Sequence, residues 1–290
     1  MLIKLYNPAK GPMRLAIFMS GSGSNAVKIL ERHAEQEMAG VVTFEPVLMF
    51  TDNPDSNAEK ISNRFGVPFS LNPIKDFYFE RQASLSDKLV RKEYDSVQLN
   101  NLRSSNVDAV ALAGYDWVIS PGICDNFVVV NVPPGDLRTK NADGKRNYVG
   151  LSWVPSAKAI LNGDKYVYTS VHLVTSGLDE GPLLAVSAPQ AVPSEVLGLE
   201  RKVLLGKADS LVDINAFIRA NPSVSYEELA RMFPIYGYAK DCQERLKVHG
   251  DWIEFPNAIV NISSGSYEKD REGKLYFEGN PIPEGVVREK

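Results

Sequence analysis

The chain has 290 residues and a mass of 32.0 kDa, enough for one enlarged domain or two ordinary ones. With 44% hydrophobic and 23% charged residues, it is neither a disordered polymer nor a fibrous repeat. Lys+Arg 32 against Asp+Glu 36 leaves a formal charge of -4, so no nucleic acid partner is expected and any phosphate must be gripped locally.

After an aperiodic leader over 1–12, the run Arg14-Leu-Ala-Ile-Phe-Met19 predicts a strand, closed by Ser20-Gly-Ser-Gly-Ser-Asn25. Ala26, Val27, Leu30, Ala34 and Met38 then recur at helical spacing. The pattern repeats: a strand at Pro46–Thr51, a helix at Ser56–Phe65 ended by Gly66, a short strand at Val67–Leu71, then a linker. Glu80–Ser104 is expected as one surface helix whose core face carries Leu85, Leu89, Val97 and Leu102. Asp108–Gly114 and Phe127–Asn131 are continuous apolar runs, expected of parallel strands covered on both faces. This alternation predicts an α/β fold with an open, mostly parallel, Rossmann-like sheet and a ligand crevice at the carboxyl ends of its strands.

Further on, 138–146 reads as a basic, turn-rich loop, and Pro155-Ser156 opens a helix over Ala157–Leu161 that Asn162-Gly163 closes. Tyr166–Thr175 alternates as a strand, Ser176–Pro182 as a turn, and Leu183–Ala188 as a second extended segment. Residues 195–205, 208–220, 225–233 and 238–249 have helical spacing, with a Ser225/Glu228 capping box and Gly250 as a stop. The tail returns to extended structure at Lys274–Glu278 after a turn at Asp270–Gly273. No apolar run approaches the about 18 residues of a membrane span, so no membrane contact and a cytoplasmic location are expected. Cys124 and Cys242 form no C-x-x-C and read as inert thiols, while His33, His172 and His249 are too dispersed for a metal cluster, so no metal is expected.

Two groups of residues suggest chemistry. Gly21, Ser22, Gly23, Ser24 and Asn25, between strand and helix, offer backbone N–H groups and a helix N-terminus to an anion, or else form a plain turn capped by Ser24 or Asn25. Gly21-x-Gly23-x-x-Ala26 with Asp52 on the next strand also fits a loose dinucleotide fingerprint, which keeps a nicotinamide-dependent oxidoreductase open. The second group is Asn131, His172 and Asp179: an amide, an imidazole and a carboxylate which, if they converge, stabilise an oxyanion and move a proton.

Arg14–Asn25, Ala111–Ser120, Val129–Pro133 and Thr169–Pro182 stand in the order and spacing of the folate-dependent formyltransferases, and within them the chain most resembles the glycinamide ribonucleotide (GAR) branch. A weaker echo returns at Glu254–Ile259 and Gly273–Pro283. The resemblance implies a formyltransferase-like domain over 13–207, a helical insertion at 208–250, and a C-terminal helix and hairpin over 251–290 that complete the domain. It also implies 10-formyltetrahydrofolate as cosubstrate and a small phosphorylated amine as acceptor, and leaves a homodimer open. By position, Gly21–Asn25 would hold the phosphate. Leu112, Ala113, Gly114, Tyr115, Trp117, Val118, Gly177 and Leu178 would border the pterin. Asn131 would donate to the oxyanion, Asp179 would accept the amine proton through water, and His172 would support Asp179.

One position departs from the family. Its pattern Asn-x-His-Pro is here Asn131-Val132-Pro133-Pro134, so Pro133 stands where a histidine is expected. Proline can neither donate nor accept a proton through its side chain, and losing one such donor commonly costs about 10²–10³ in rate. Asp136, Lys145 and Arg146 are the nearby charges that would have to substitute; otherwise their loop is a solvated turn. A binding or regulatory protein that kept the pockets and lost the catalysis is the alternative.

Overall fold

The computed structural model describes residues 1–150, 152–175, 177 and 179–288. The chain divides into two compact units. The first comprises Met1–Val132, Val171–Ala185 and Glu254–Val286, and the second Pro133–Ser170, Val186–Ile253 and the residues from Val287 onward.

An eight-stranded sheet, almost all of it in the first unit, runs in the order Val286–Val287, Leu183–Val186, Ser170–Leu173, Val128–Asn131, Ala109–Leu112, Met13–Met19, Phe44–Thr51, Phe69–Leu71. Neighbours from Val128–Asn131 to Phe69–Leu71 are parallel, whereas Val128–Asn131 and Ser170–Leu173 are antiparallel. The apolar runs are continuous because both faces are covered. Leu15, Ile17 and Met19 pack with Ile29, Leu30, Phe255, Ile259 and Ile262 on one side. Ala16 and Phe18 pack with Ile74, Tyr78, Tyr94 and Leu102 on the other. Residues Ile3–Lys4 add to a smaller antiparallel sheet beside Tyr267–Lys269, which continues through Leu275–Phe277.

Two expected elements change here. The helix expected at Glu80–Ser104 begins at Lys88, because the Asp87 carboxylate accepts from the N–H groups of Leu89 and Val90 and caps it there. Its buried face is Val90, Tyr94, Gln98 and Leu102, while Leu85, Leu89 and Val97 are exposed. The expected linker before it contains a further helix, Ile74–Glu80.

The second unit packs helices Val154–Leu161, Arg201–Leu205, Leu211–Ala220, Tyr226–Met232 and Pro234–Leu246 around Trp153, Ile160, Leu205, Ile214, Phe233 and Leu246. The Ser225 hydroxyl caps its helix through the N–H of Glu228, as the sequence predicts. Helix 195–205 shrinks to Arg201–Leu205, with turns before it, and the strand expected at Tyr166–Thr175 splits into Tyr166–Val167 and Ser170–Leu173. The split falls where Thr169 turns to other partners: its N–H donates to Ser187 Oγ at 3.0 Å and its hydroxyl to Asp251 Oδ1 at 2.6 Å.

Gly250 does not stop its helix. A π-helical turn over Lys247–Asp251 runs directly into the helix Trp252–Ser263. Glycine is required there by contact, since a Cβ would lie 2.5 Å from Thr169 Oγ1 and 2.9 Å from Thr169 Cβ. Gly250→Ala should therefore cost about 1–3 kcal/mol by overpacking, read as a lower urea midpoint at unchanged slope; an unchanged midpoint would contradict this packing.

Candidate active site

The site is built from strand register. Phe18 pairs with Leu112, Leu112 with Asn131, and Asn131 with His172, so four neighbouring strands place one residue each on a single row near their ends. Paired residues share a face. Asn131 and His172 thus lie side by side on the face that carries Phe18 and Leu112, opposite Val130 and Val171.

His172 is 1% exposed, and its Nδ1 lies 2.7 Å from the carbonyl oxygen of Leu173. A carbonyl only accepts, so Nδ1 carries the hydrogen. Nε2 then faces Asp179 Oδ1 at 3.3 Å, an ion-pair distance without hydrogen-bond alignment. With hydrogen on Nδ1, Nε2 of the neutral ring presents a lone pair, so this contact becomes a hydrogen bond only when a proton lies between the two atoms. Asp179 is 8% exposed and adopts φ 52°, a left-handed conformation that a non-glycine residue adopts only under constraint. The constraint is the turn's return onto the strand: the Leu173 N–H donates to Pro182 O at 3.0 Å. A Cβ on Gly181 would come within 1.7 Å of Leu173 O.

The Gly-rich turn leads directly into a helix of 15 residues, Ser24–Met38, whose N-cap Gly23 has φ 73°. Neither Ser24 nor Asn25 caps it: the N-cap is Gly23, without a side-chain hydrogen bond, and the first closing bond runs from Val27 N–H to Gly23 O. The N–H groups of Ser24, Asn25 and Ala26 precede that bond, and Asn25 Oδ1 is buried without a hydrogen-bond partner. A Cβ on Gly23 would meet Ile61 Cδ1 at 2.5 Å and Met19 Cε at 2.7 Å, so glycine is needed for packing as well as for φ. Gly21 and Ser22 are exposed, and Asn57 holds both of their carbonyls.

The pterin-side residues divide by exposure. Leu112, Ala113 and Tyr115 are buried, the Tyr115 ring lying 5.6 Å from Phe18 and 6.2 Å from Phe50. Gly114 and Val118 are exposed, and Trp117 and Gly177 are half-buried. Leu178 and Ser176 lie outside the described residues.

Asp52 has a role that the sequence reading missed. Its Oδ1 accepts from the Ser20 hydroxyl and its Oδ2 from the Trp117 indole N–H at 2.7 Å, while Ser20 Oγ accepts from the Asp116 N–H at 3.0 Å. The residue is 5% exposed, with both oxygens engaged. Asp52 thus ties Ser20 to Trp117, a role within the fold that accounts for a carboxylate at this strand end without a bound nucleotide. The sequence signal was a polar residue directly after each of two apolar strands, Ser20 and Asp52.

Asp136 is likewise engaged, gripped by the Arg138 guanidinium through both oxygens at 2.8 Å. The basic loop closes on Asn141, whose Oδ1 accepts from the N–H groups of Asp143 and Lys145. Cys242 is buried and Cys124 half-buried, and burial pushes the Cys124 thiol up to about 11, so neither supplies a thiolate at neutral pH. Among the described residues, no helix is long and apolar enough to cross a membrane.

With this geometry in view, the comparisons are direct. Residues 13–204 match the formyl transferase family, described as Formyl transferase, and the chain belongs to it. It is 30% identical over 185 residues to the chloroplastic phosphoribosylglycinamide formyltransferase of Arabidopsis thaliana, a match covering 63% of this chain and 56% of that one. It is 24% identical over 246 residues to the phosphoribosylglycinamide formyltransferase of Escherichia coli, covering 83% of this chain and 94% of that one. The chain thus spans about half of the plant relative's length, and its match to the trifunctional purine biosynthetic protein adenosine-3 of Drosophila melanogaster spans 12% of that protein. The same fold occurs in the phosphoribosylglycinamide formyltransferase of Coxiella burnetii, at TM-score 0.61 and 16% identity over 95% of this chain and 99% of that one. It occurs again in a glycinamide ribonucleotide transformylase of Symbiobacterium toebii, at TM-score 0.59 and 19% identity over 92% and 94%.

The Ser20–Asp52–Trp117 linkage makes its own prediction. Asp52→Ala leaves a hydroxyl and an indole N–H unpaired and should cost about 1–3 kcal/mol in urea unfolding, with Asp52→Asn losing less; an Asp52→Ala protein as stable as the parent would contradict the linkage.

Proposed function

We propose that the chain transfers a formyl group from 10-formyltetrahydrofolate to the amine of a small phosphorylated acceptor of the glycinamide ribonucleotide kind. The observation that carries this reading is the contiguity of Asn131, His172 and Asp179: one cross-strand pair and one 3.3 Å contact. The folate supplies an activated formyl group, and the protein supplies position and charge.

The Asn131 side-chain N–H donates to the formyl oxygen, where negative charge gathers as the amine nitrogen bonds to the formyl carbon. Asp179 takes the proton that the amine must shed, directly or through one water, and returns it to the departing folate nitrogen. His172 is a positioning residue. With Nδ1 held by Leu173 O, its ring fixes the Asp179 carboxylate and shares the transferred proton. The first-turn N–H groups of Ser24–Ala26 and the exposed Gly21-Ser22 backbone receive the acceptor's phosphate. The Asn25 side chain joins them once its amide turns its nitrogen outward. Leu112–Val118 and the turn at Gly177 border the pterin.

Pro133 favours a second reading, that of a pocket-bearing protein with little catalysis. It is buried and follows Asn131 by two residues, so the chain lacks a donor at that place. The main reading predicts measurable transfer with 10-formyltetrahydrofolate and glycinamide ribonucleotide. Asn131→Ala should lower kcat by about 10²–10³ and Asp179→Asn by about 10²–10⁴, with little change in KM. Pro133→His should raise kcat. Activity confined to the Pro133→His variant would favour the silent reading, and transfer unaffected by Asp179→Asn would overturn the main one.

A further inference from the structure

The second unit contains a cavity of about 220 Å³ that plays no part in the reaction above. Its lining includes Tyr148, Tyr166 and Tyr168 with Pro134 and Pro155, together with the polar residues Asp136, Ser156 and Asp164.

Ser156 is the residue out of place. It sits in the first turn of the helix Val154–Leu161, is 1% exposed, and its hydroxyl has no hydrogen-bond partner among the described residues. A helical serine usually satisfies itself on a preceding carbonyl or faces water. This one lines the cavity instead.

The two carboxylates are fixed without being used up. Arg138 grips Asp136, and Asp164 accepts from the Tyr148 hydroxyl and, at 2.8 Å, from the Asn162 amide. A carboxylate offers about four lone-pair sites, so Asp164 retains capacity to accept more. The same Arg138 guanidinium lies 4.6 Å over the Tyr168 ring and steadies that wall.

The wall therefore offers acceptors, one unpaired hydroxyl and flat apolar faces. An anionic group placed inside the cavity would be repelled by Asp164. A cation gains little, because Arg138 already neutralises Asp136 and Lys165 stands exposed on the wall. The volume falls below the about 300 Å³ at which pockets for drug-sized ligands begin, so a single ring fits better than a pteridine. We infer that this cavity binds a monosaccharide ring, its vicinal hydroxyls on Asp164 and Ser156 and its C–H face against the tyrosines. The ring can arrive free or as part of a nucleotide sugar whose phosphates stay outside the cavity.

The test is saturation-transfer NMR and calorimetric titration of the full chain with D-ribose and D-glucose in one arm and UDP-glucose in the other. Saturable binding is expected in at least one arm; binding in the first identifies a free sugar, and binding in the second alone a nucleotide-borne one. Ser156→Ala should weaken it about fivefold. Tyr166→Ala should weaken it as well, and because Tyr166 is 40% exposed this variant keeps the fold. Formyl transfer by the Tyr166→Ala protein should be unchanged, so that the outcome of this test and that of the reaction are read separately. No saturable binding in either arm, affinity unchanged in both variants, or displacement of the sugar by a simple primary amine would overturn the assignment.

Discussion

The site depends on the pairing of Asn131 with His172 across the sheet's change from parallel to antiparallel. Side chains alternate along a strand, so a slip of one residue would send the amide and the imidazole to opposite faces. Register is held by what lies on either side. Val130 and Val171 are buried in one core, Val129 and Leu112 in the other, and the Val174 N–H donates to Val129 O at 2.8 Å. From that row the chain returns at Pro182, whose carbonyl accepts from the Leu173 N–H, and Asp179 comes back to the imidazole. Gly181 makes the turn by allowing contact with Leu173 O, and Asp179 accepts a left-handed conformation to complete it.

The central strands were legible because burial on both faces leaves a simple mark, an unbroken apolar run such as Leu15–Met19 or Ala109–Leu112. Caps were legible where a side chain acts on its own neighbours, as Ser225 does on Glu228. What stayed hidden depended on distant partners. Leu85 and Leu89 have the spacing of a buried face, yet Asp87 starts the helix between them and Val90 and Tyr94 turn inward. Gly250 has the composition of a stop signal, but its missing side chain serves a contact with Thr169, 81 residues earlier in the chain. No local pattern encodes that contact.

The same division applies to the site. Asn131, His172 and Asp179 stood out as polar groups at strand ends, and the fold brings them into sequence-distant neighbourhood. Asp52 stood out for the same reason and serves a different end, tying Ser20 to Trp117 below the Gly-rich turn. Position at a strand end identifies a candidate, whereas only the hydrogen-bond partners say what it is tied to. Pro133 is the converse case: its chemistry is fully legible in the sequence, and in the proposed reaction it leaves Asn131 without a second side-chain donor two residues on.

The measurement closest to the central claim is the ¹⁵N resonance pair of the His172 ring, assigned by comparison with a His172→Gln protein and followed across neutral pH. A neutral ring pinned by Leu173 O carries its hydrogen on Nδ1 and leaves Nε2 bare toward Asp179. A neutral ring found with hydrogen on Nε2 and a bare Nδ1 would contradict the account.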